Sequence, residues 1–407
     1  MKCRHCGNTN FIPFADLANA PPSNAMLTEA KLSEPEAYYP LVVAVCDACF
    51  LAQVEEHKSA TEIFDSDYTY FSSFSKSWLE HAERFAAMAI ERFGLGEQSQ
   101  VVEVASNDGY LLQYFHARGI PVLGVEPTAN TAEVAVGKGI PTIVDFFGQR
   151  LAEERLGGRA DLIAGNNVFA HVPDINDFSA GLKAALKPGG VVSLEFPHLL
   201  RLIEQNQFDT IYHEHFSYLS LGTAERILGQ AALKLFDVEQ LPTHGGSLRV
   251  FAAHVGDDTK PRSPNVASVL DEEERAGLRG REVYEAFQQR IDHIRADFLR
   301  FLLDQRAAGA RVAGYGAAAK GNTLLNYCGI KGNELIRFVA DASPHKQGRF
   351  LPGSRIPVVA PEQIDAQRPD VIIIFPWNLR DEIAGQLAHA REWGARFVTA
   401  IPELKVW

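Results

Sequence analysis

The sequence has no uninterrupted apolar run near the roughly 20 residues that a membrane-spanning helix needs, although 46% of its 407 residues are hydrophobic. Its first residues, MKCRHCGN, lack the apolar core of a signal peptide. We therefore expect a cytoplasmic protein without a membrane partner.

Positive charge is scarce, with 39 Lys and Arg against 51 Asp and Glu and a formal net charge of -12. Such a chain repels phosphate backbones on average, which argues against a nucleic-acid polymer as partner. Small anionic ligands stay possible, because they respond to the local field of a pocket.

Cysteine is also rare, and its placement is uneven. Four of the five cysteines form two C-x-x-C pairs within the first fifty residues, at Cys3, Cys6, Cys46 and Cys49. Two such knuckles supply the four thiolates of a tetrahedral Zn²⁺ site, which leaves no open position for substrate and is structural. The alternative is two unconnected pairs of reduced cysteines. His5 is a less favoured replacement ligand.

Short-period repeats and low-complexity tracts are absent, and the length predicts two to three domains. The expected class is α/β, with a small zinc-binding module, a central Rossmann-like domain and a smaller C-terminal Rossmann-like domain. The zinc module is predicted at 1–60 and the central domain at 61–255. A polar linker with a long helix from about 278 follows at 256–308, and the C-terminal domain occupies 309–407. An amphipathic helix is predicted at 75–95.

The stretch VVEVASNDGYLL (101–112) reads as a strand, a turn and a helix over which a nucleoside can bind. An acidic residue in this strand and another ending the next is the arrangement of S-adenosylmethionine enzymes. Ala105 and Asn107 stand where glycine is favoured, so an ordinary βα turn remains the alternative. The predicted cofactor-binding residues are Glu103, Ala105, Asn107, Gly109, Tyr110, Leu111, Glu126, Pro127, Asp145, Phe146, Asn166 and Asn167.

The stretch DTIYHEHFSYLS (209–220) concentrates more titratable side chains than a solvated turn needs, with a loose polar loop as the alternative. His213 and His215 share a face only in an extended chain and diverge by about 200° on a helix. Because neither case gives three converging ligands, we do not expect a catalytic metal here.

In the C-terminal unit, VAGYGAAAKGNTLLN (312–326) joins a strand to a helix through a Gly-rich turn. Phosphate binding is plausible there, although the spacing is not that of a Walker P-loop and a structural turn is the alternative. The candidate contacts are Lys320 and Asn322, with His345 and Arg349 after the next strand.

These motifs in this order resemble the sugar C-methyltransferases that methylate C-3 of nucleotide-linked 4-keto deoxysugars. The resemblance covers nearly the whole chain and implies that the central Rossmann-like domain is a class I methyltransferase domain. It also implies S-adenosyl-L-methionine as cofactor, a nucleotide-linked ketosugar as substrate and a structural Zn²⁺. It implies that Tyr212, Glu214 and His215 line the sugar pocket, facing His171 and either Tyr68 or Tyr70. It further implies that the C-terminal domain contacts the nucleotide diphosphate.

The chemistry follows from the acidity of a hydrogen beside a ketone. A neutral histidine suits its removal near pH 7, so we expect His215 to be the base and Glu214 to support it. Tyr212 and His171 are candidate donors to the C-4 oxygen as it gains charge. No role is assigned to His213.

Two other functions remain open at this stage. The same architecture suits a small-molecule O- or N-methyltransferase with a different pocket. A zinc-containing binding protein with a degenerate methyltransferase fold is the less favoured one. The oligomeric state, monomer or homodimer, stays open.

Overall fold

The computed structural model describes residues 1–63 and 70–407. Within these ranges no helix is long and apolar enough to cross a membrane. The chain is mixed α/β, as the sequence predicts, and it contains three sheets, of which the one in the N-terminal module was not predicted.

The N-terminal module is an antiparallel sheet built on three strands, β1 (Phe11–Ala20), β2 (Tyr39–Cys46) and β3 (Ala52–Val54). A fourth strand, Ser217–Tyr218, comes from the YHEH stretch and pairs with β3 through Ala52↔Tyr218 and Gln53↔Ser217. The stretch that carries the candidate base is therefore attached to the cysteine module.

Two helices lead from this module to the central sheet, α1 (Ala60–Ile63) and α2 (Lys76–Phe93). The second is the helix predicted at 75–95. It begins where the Ser75 side chain accepts a hydrogen bond from the Trp78 amide at 3.3 Å, and it ends at Gly94, whose φ is 63°.

The central domain is a seven-stranded sheet whose short, buried apolar strands are typical of a sheet covered on both faces. Its strands are β4 (Val101–Val104), β5 (Val122–Val125), β6 (Thr142–Ile143), β7 (Ala160–Asn166), β8 (Leu186–Pro197), β10 (Leu233–Leu241) and β11 (Ser247–His254), with the edge strand Ser217–Tyr218 as β9. The spatial order is β10-β11-β8-β7-β4-β5-β6, and β11 runs antiparallel to both of its neighbours. The remaining pairs are parallel. The helices of this domain are α3 (Leu112–His116), α4 (Ala129–Gly137), α5 (Gln149–Leu151), α6 (Ile175–Ala185), α7 (Leu199–Glu204) and α8 (Leu221–Gln230).

The predicted polar linker contains a helix that the sequence reading missed, α9 (Pro264–Arg275). Ser263 caps it by accepting the Asn265 amide at 3.0 Å, and Pro264 occupies the first turn, where its missing N–H costs nothing. The long helix predicted from 278 to 308 is interrupted at Ala286 and forms α10 (Glu282–Glu285) and α11 (Phe287–Ala307).

The C-terminal unit is a smaller doubly wound sheet in the order β14-β13-β12-β15-β16-β17. Its strands are β12 (Val312–Tyr315), β13 (Val339–Ala340), β14 (Val358–Val359), β15 (Val371–Ile374), β16 (Arg396–Thr399) and β17 (Lys405–Val406), and its helices are α12 (Ala319–Tyr327), α13 (Glu362–Gln367) and α14 (Arg380–Gln386). Only the β16–β17 pair is antiparallel among the pairs of this sheet.

Side chains from all three units pack together around the YHEH stretch. Phe14 of β1 stacks on Phe287 of α11 with ring centroids 4.7 Å apart. The Thr323 hydroxyl of α12 donates to the carbonyl of Ile211 at 2.9 Å. The candidate catalytic loop is thus held from the N-terminal side by β3 and from the C-terminal side by α12.

Candidate active site

The four N-terminal cysteines form one cluster. Their sulfur atoms all lie within 4.8 Å of one another, with Cys3 Sγ 3.6 Å from Cys49 Sγ and Cys6 Sγ 3.5 Å from Cys46 Sγ. Four thiolates at about 2.3 Å from a tetrahedral ion lie about 3.8 Å apart, so the cluster fits Zn²⁺. In the described ranges this is the one group of side chains close enough to hold a metal ion. The zinc is structural, since all four positions are protein sulfur.

His5 has a different use. Its Nδ1 lies 2.8 Å from Oδ1 of Asn176 on α6, and the Asn176 amide donates to the His5 carbonyl at 2.8 Å. His5 therefore fastens the zinc module to the central domain.

The turn after β4 has the backbone geometry of a glycine-rich cofactor loop without its glycines. Ala105 and Asn107 have φ values of 56° and 49°, and Gly109 has φ 75°. A Cβ at Gly109 would lie 2.5 Å from Ile140 Cδ1, so only glycine fits there. Ala105 and Asn107 replace the glycines expected in such a loop, and both residues nevertheless adopt the left-handed conformation.

Two buried carboxylates flank this turn. Glu103, in β4, is fully buried, its carboxylate faces the Tyr110 hydroxyl and the Leu112 amide, and burial raises its pKa well above the usual range. Glu126, after β5, accepts the amides of Asn107 at 2.8 Å and Thr128 at 2.9 Å. Burial raises its pKa as well, against these hydrogen bonds. Two neighbouring buried acids at the ends of adjacent strands fit a ligand with an amino group and ribose hydroxyls, such as S-adenosylmethionine.

The other predicted cofactor residues divide between the core and the rim. Tyr110 and Leu111 are buried in the core, although the Tyr110 hydroxyl also accepts from Asn166 Nδ2 at 3.3 Å. Asn166 ends β7 and Asn167 follows it at φ 54°. The rim residues are Pro127, Asp145 and Phe146, of which Phe146 is exposed.

His215 lies at the centre of an aromatic cluster. Its ring centroid is 4.0 Å from that of Tyr212, 4.5 Å from that of His171 and 6.0 Å from that of Tyr218. Its Nδ1 is 2.9 Å from the carbonyl oxygen of Thr210, so Nδ1 carries the proton and Nε2 holds the lone pair of the neutral ring. Burial, with the nearby His171, keeps the pKa of His215 well below its usual value.

Glu214 does not contact the ring of His215 by a hydrogen bond. Its Oε2 accepts from Nδ2 of Asn24 at 2.6 Å, and burial raises the pKa of Glu214 to about 7. The group that orients His215 is the Thr210 carbonyl, and the expected carboxylate support is not direct. His171, whose pKa burial lowers to about 4, hydrogen-bonds the backbone of Glu214.

His213 faces away from this cluster. Its Nε2 lies 3.2 Å from the carbonyl of Pro40, and its ring contacts Tyr39 at 6.0 Å between centroids. The turn at 213–214 therefore directs the two histidines of the stretch to different surroundings.

Of the two candidate tyrosines, Tyr68 lies outside the described residues. Tyr70 lies beside the cofactor turn, where its carbonyl accepts from Asn107 Nδ2 at 3.1 Å. Asn107 Oδ1 also accepts the Ser72 amide at 2.8 Å. Asparagine at 107 thus tolerates the left-handed backbone and also ties the 70–72 segment to the cofactor turn.

The four candidate substrate residues of the C-terminal unit have unlike surroundings. Lys320 donates to Asn378 Oδ1 at 2.9 Å, and burial lowers its pKa to about 8. Asn322 is buried and donates to the Ser23 carbonyl at 3.0 Å, which is a structural contact. His345 is exposed and stacks on Phe71 at 5.1 Å. Arg349 is half-buried on the same segment.

The sequence reading missed His244, which precedes β11. Asn167 Nδ2 donates to His244 Nε2 over 2.9 Å, and His244 has φ 55°. Burial lowers its pKa to about 4, helped by the charge of Lys320. The Gly-Gly pair that follows it in THGGS is the sequence signal for a tight turn at this edge of the sheet.

Several of these side chains are half-buried and yet strongly desolvated, namely His171, His244 and Lys320. Such a combination marks the wall of a cleft rather than a core. The three side chains lie between the cofactor turn, the YHEH stretch and α12, and we call this region the cleft. Together with the strand order, it defines an S-adenosylmethionine-dependent class I methyltransferase that carries a zinc module.

Comparison with known proteins agrees with this class at each part of the chain. Residues 3–64 match the family described as "Putative zinc binding domain", and residues 78–238 match "Methyltransferase domain". Residues 242–402 match "C-methyltransferase C-terminal domain". The full chain is 37% identical to the C-methyltransferase NovU of Streptomyces niveus over 407 residues, which cover 96% of that protein. The chain belongs to this family of C-methyltransferases.

Solved structures resemble the chain only in part. PH0226 protein from Pyrococcus horikoshii has a TM-score of 0.39 and 14% identity over 46% of this chain and 95% of its own. A S-adenosylmethionine-dependent methyltransferase from Clostridium acetobutylicum has a TM-score of 0.37 and 11% identity over 44% and 92%.

Proposed function

We propose that this C-methyltransferase acts at C-3 of a nucleotide-linked 4-keto deoxysugar and that His215 removes the C-3 proton. One observation carries the proposal. The hydrogen bond from His215 Nδ1 to the Thr210 carbonyl fixes the tautomer, so that Nε2 is the basic nitrogen of a buried, neutral ring. A base of this kind is needed to methylate a carbon whose hydrogen is acidified by a ketone.

The proton leaves C-3 of the sugar and is taken up by His215. The C-3–H bond breaks, its electron pair enters the C-3–C-4 bond, and the carbonyl pair moves onto the C-4 oxygen. Nε2 of His215 takes the proton. Because burial disfavours an isolated imidazolium, that cation is stabilised mainly while the enolate charge is beside it.

The C-4 oxygen gains charge in this step and needs hydrogen-bond donors. Tyr212 and His171 remain our candidates, and both rings contact His215. Glu214, with a pKa of about 7, is partly protonated near neutrality and is a further donor in its acid form. Tyr70 keeps its proposed place on the sugar side of the cofactor turn.

S-adenosylmethionine supplies an electrophilic methyl group when it is bound. Glu103 and Glu126 are the residues that would hold its amino and ribose groups, with the turn at 105–109 beneath it. Because β7, β4 and β5 are parallel neighbours, their carboxyl ends meet at one edge of the sheet, where they would position the bound methyl donor. His345 and Arg349 remain candidate contacts to the nucleotide diphosphate.

The test is the product itself. The protein is incubated with S-adenosylmethionine labelled with carbon-13 in the methyl group and a panel of nucleotide-linked 4-ketosugars. We expect a labelled methyl bonded to C-3 in the carbon-13 spectrum and in its long-range proton correlations. A labelled methyl on oxygen or nitrogen would overturn the proposal and favour the O- or N-methyltransferase.

A further inference from the structure

We propose that Lys320, supplied by the C-terminal unit, stabilises the negative charge on the C-4 oxygen of the sugar enolate. The inference rests on the proposed function. It gives Lys320 a catalytic role, in place of the diphosphate contact expected from the Gly-rich turn that precedes it.

The first support is the position of Lys320 in the cleft. Its ammonium lies 4.6 Å from the centroid of the Trp377 ring. The indole N–H of Trp377 donates to Asp209 Oδ2 at 2.8 Å, and Asp209 adjoins Thr210, the residue that orients the base. Lys320 therefore sits above a ring that is itself fastened to the turn holding His215.

The second support comes from the opposite wall. A Cβ at Gly245 would lie 2.2 Å from Cη2 of Trp377, so the turn that carries His244 packs directly on the same indole. Burial is the main cause that lowers the pKa of His244 and of His215, and the charge of Lys320 lowers each further. The ammonium is thus within electrostatic reach of the two histidines that border the reacting carbon.

The third support is the hydrogen bonding of the ammonium. It donates to Asn378 Oδ1 at 2.9 Å, and Asp209 is the carboxylate whose charge acts on it. An ammonium has three N–H donors. A desolvated cation with spare donors is the group that stabilises an oxyanion best, because it is in place before the charge forms.

A charge on this lysine also keeps the base neutral. A cation near an imidazole disfavours a second positive charge, so His215 remains unprotonated until the enolate forms. The groups facing Lys320 are Asp209, which favours its charged form, and His215 and His244, which do not carry charge at neutral pH. Lys320 is therefore charged at pH 7 and loses its proton above about pH 8.

The experiment measures deuterium exchange at C-3 of the ketosugar in deuterated water, in the full-length zinc-loaded protein without S-adenosylmethionine. In Lys320→Met we expect the exchange rate at saturating sugar to fall about 100-fold, with KM changed less than threefold. Lys331→Met is the control, because Lys331 lies in the same unit and contacts Tyr38 on the surface at 2.6 Å. Its exchange should equal that of the wild type.

If Lys320 instead contacts the diphosphate, KM rises and exchange at saturation stays unchanged, which overturns the inference. The wild type provides a second readout that needs no variant. Its exchange rate should fall above about pH 8 as the ammonium deprotonates, and a rate that keeps rising to pH 9.5 would contradict the role. If the wild type exchanges no ketosugar at any pH, the proposed function itself fails, and this inference fails with it.

Discussion

His215 and Thr210 form a hydrogen bond of 2.9 Å from Nδ1–H to the backbone carbonyl, and this bond sets which nitrogen of the ring is basic. The carbonyl belongs to a turn that the C-terminal unit holds at both ends. Trp377 binds Asp209 at its start, and Thr323 binds Ile211 at its end. The base is therefore oriented by the C-terminal unit, although it lies in the central domain.

Glu214 predicts a specific dependence of stability on pH. Its pKa in the folded state, about 7, is above the unfolded value, so the folded protein binds more protons. The contribution is most favourable below the unfolded pKa and is lost as pH rises from about 4.5 through 7. Relative to Glu214→Gln, the wild type should therefore lose up to about 3 kcal/mol of unfolding free energy between pH 5 and pH 8.5.

Urea unfolding of both proteins across this range measures the difference. The subtraction removes groups that titrate in both, such as His171 and His215. Parallel curves for the two proteins would show that Glu214 is ionised in the folded protein throughout.

Zinc removal should lower methyl transfer, because β3 connects the cysteine module to the candidate catalytic stretch. The cysteine cluster closes the end of the sheet whose edge strand, Ser217–Tyr218, continues directly from the YHEH stretch. Cys49→Ser should bind less than one zinc per chain and lose at least about 3 kcal/mol of stability. Methyl transfer should fall with the zinc content, measured by elemental analysis on the same samples.

The matched control is Cys328→Ser, which removes a buried cysteine from the C-terminal unit without touching the cluster. It should retain a full complement of zinc. Full activity in a zinc-free Cys49→Ser protein would contradict the proposed link between the module and the catalytic stretch.

Much of the central fold can be predicted from the sequence, because buried strands are apolar runs that can be recognised without knowing which strands they pair with. The strands at 101–104 and 160–166 and the helix at 76–93 are examples. The pairing of Ser217–Tyr218 with β3 cannot be predicted from the sequence. A two-residue strand shows no hydrophobic periodicity, and its partner is about 165 residues away. The helix at 264–275 was hidden by reading its proline as a loop signal.

The candidate site, like the fold, could be predicted from the sequence only in part. The cysteine spacing and the YHEH stretch identify local chemistry, and the resemblance adds roles. The partner of Glu214 is Asn24, and the neighbours of Lys320 come from three segments, so burial and pairing at these groups depend on tertiary contacts. The same reason explains why His244 went unnoticed.

We expect a substitution of Asn107 to weaken binding of the sugar but not binding of S-adenosylmethionine. Asn107→Gly keeps the left-handed backbone but removes the hydrogen bonds to Tyr70 and Ser72. We expect KM for the sugar to rise about tenfold, because each lost hydrogen bond is worth about 1 kcal/mol and frees the 70–72 segment. The dissociation constant for S-adenosylmethionine, measured by calorimetry, should change less than threefold.

Ala105→Gly is the comparison for this variant, since it alters a neighbouring left-handed residue that lacks such side-chain bonds. It should leave both constants close to those of the wild type and change stability by no more than about 1 kcal/mol. An equal rise of KM in both variants would show that the backbone of the turn matters and the asparagine side chain does not.

The most direct test of the account is deuterium exchange at C-3 of a nucleotide-linked 4-ketosugar, followed by mass spectrometry without S-adenosylmethionine. The wild type and His213→Asn should both exchange, because His213 contacts Pro40 outside the aromatic cluster. His215→Asn should lose exchange by at least about 100-fold. Exchange retained in His215→Asn would show that another group removes the proton, and the assignment of the base would be wrong.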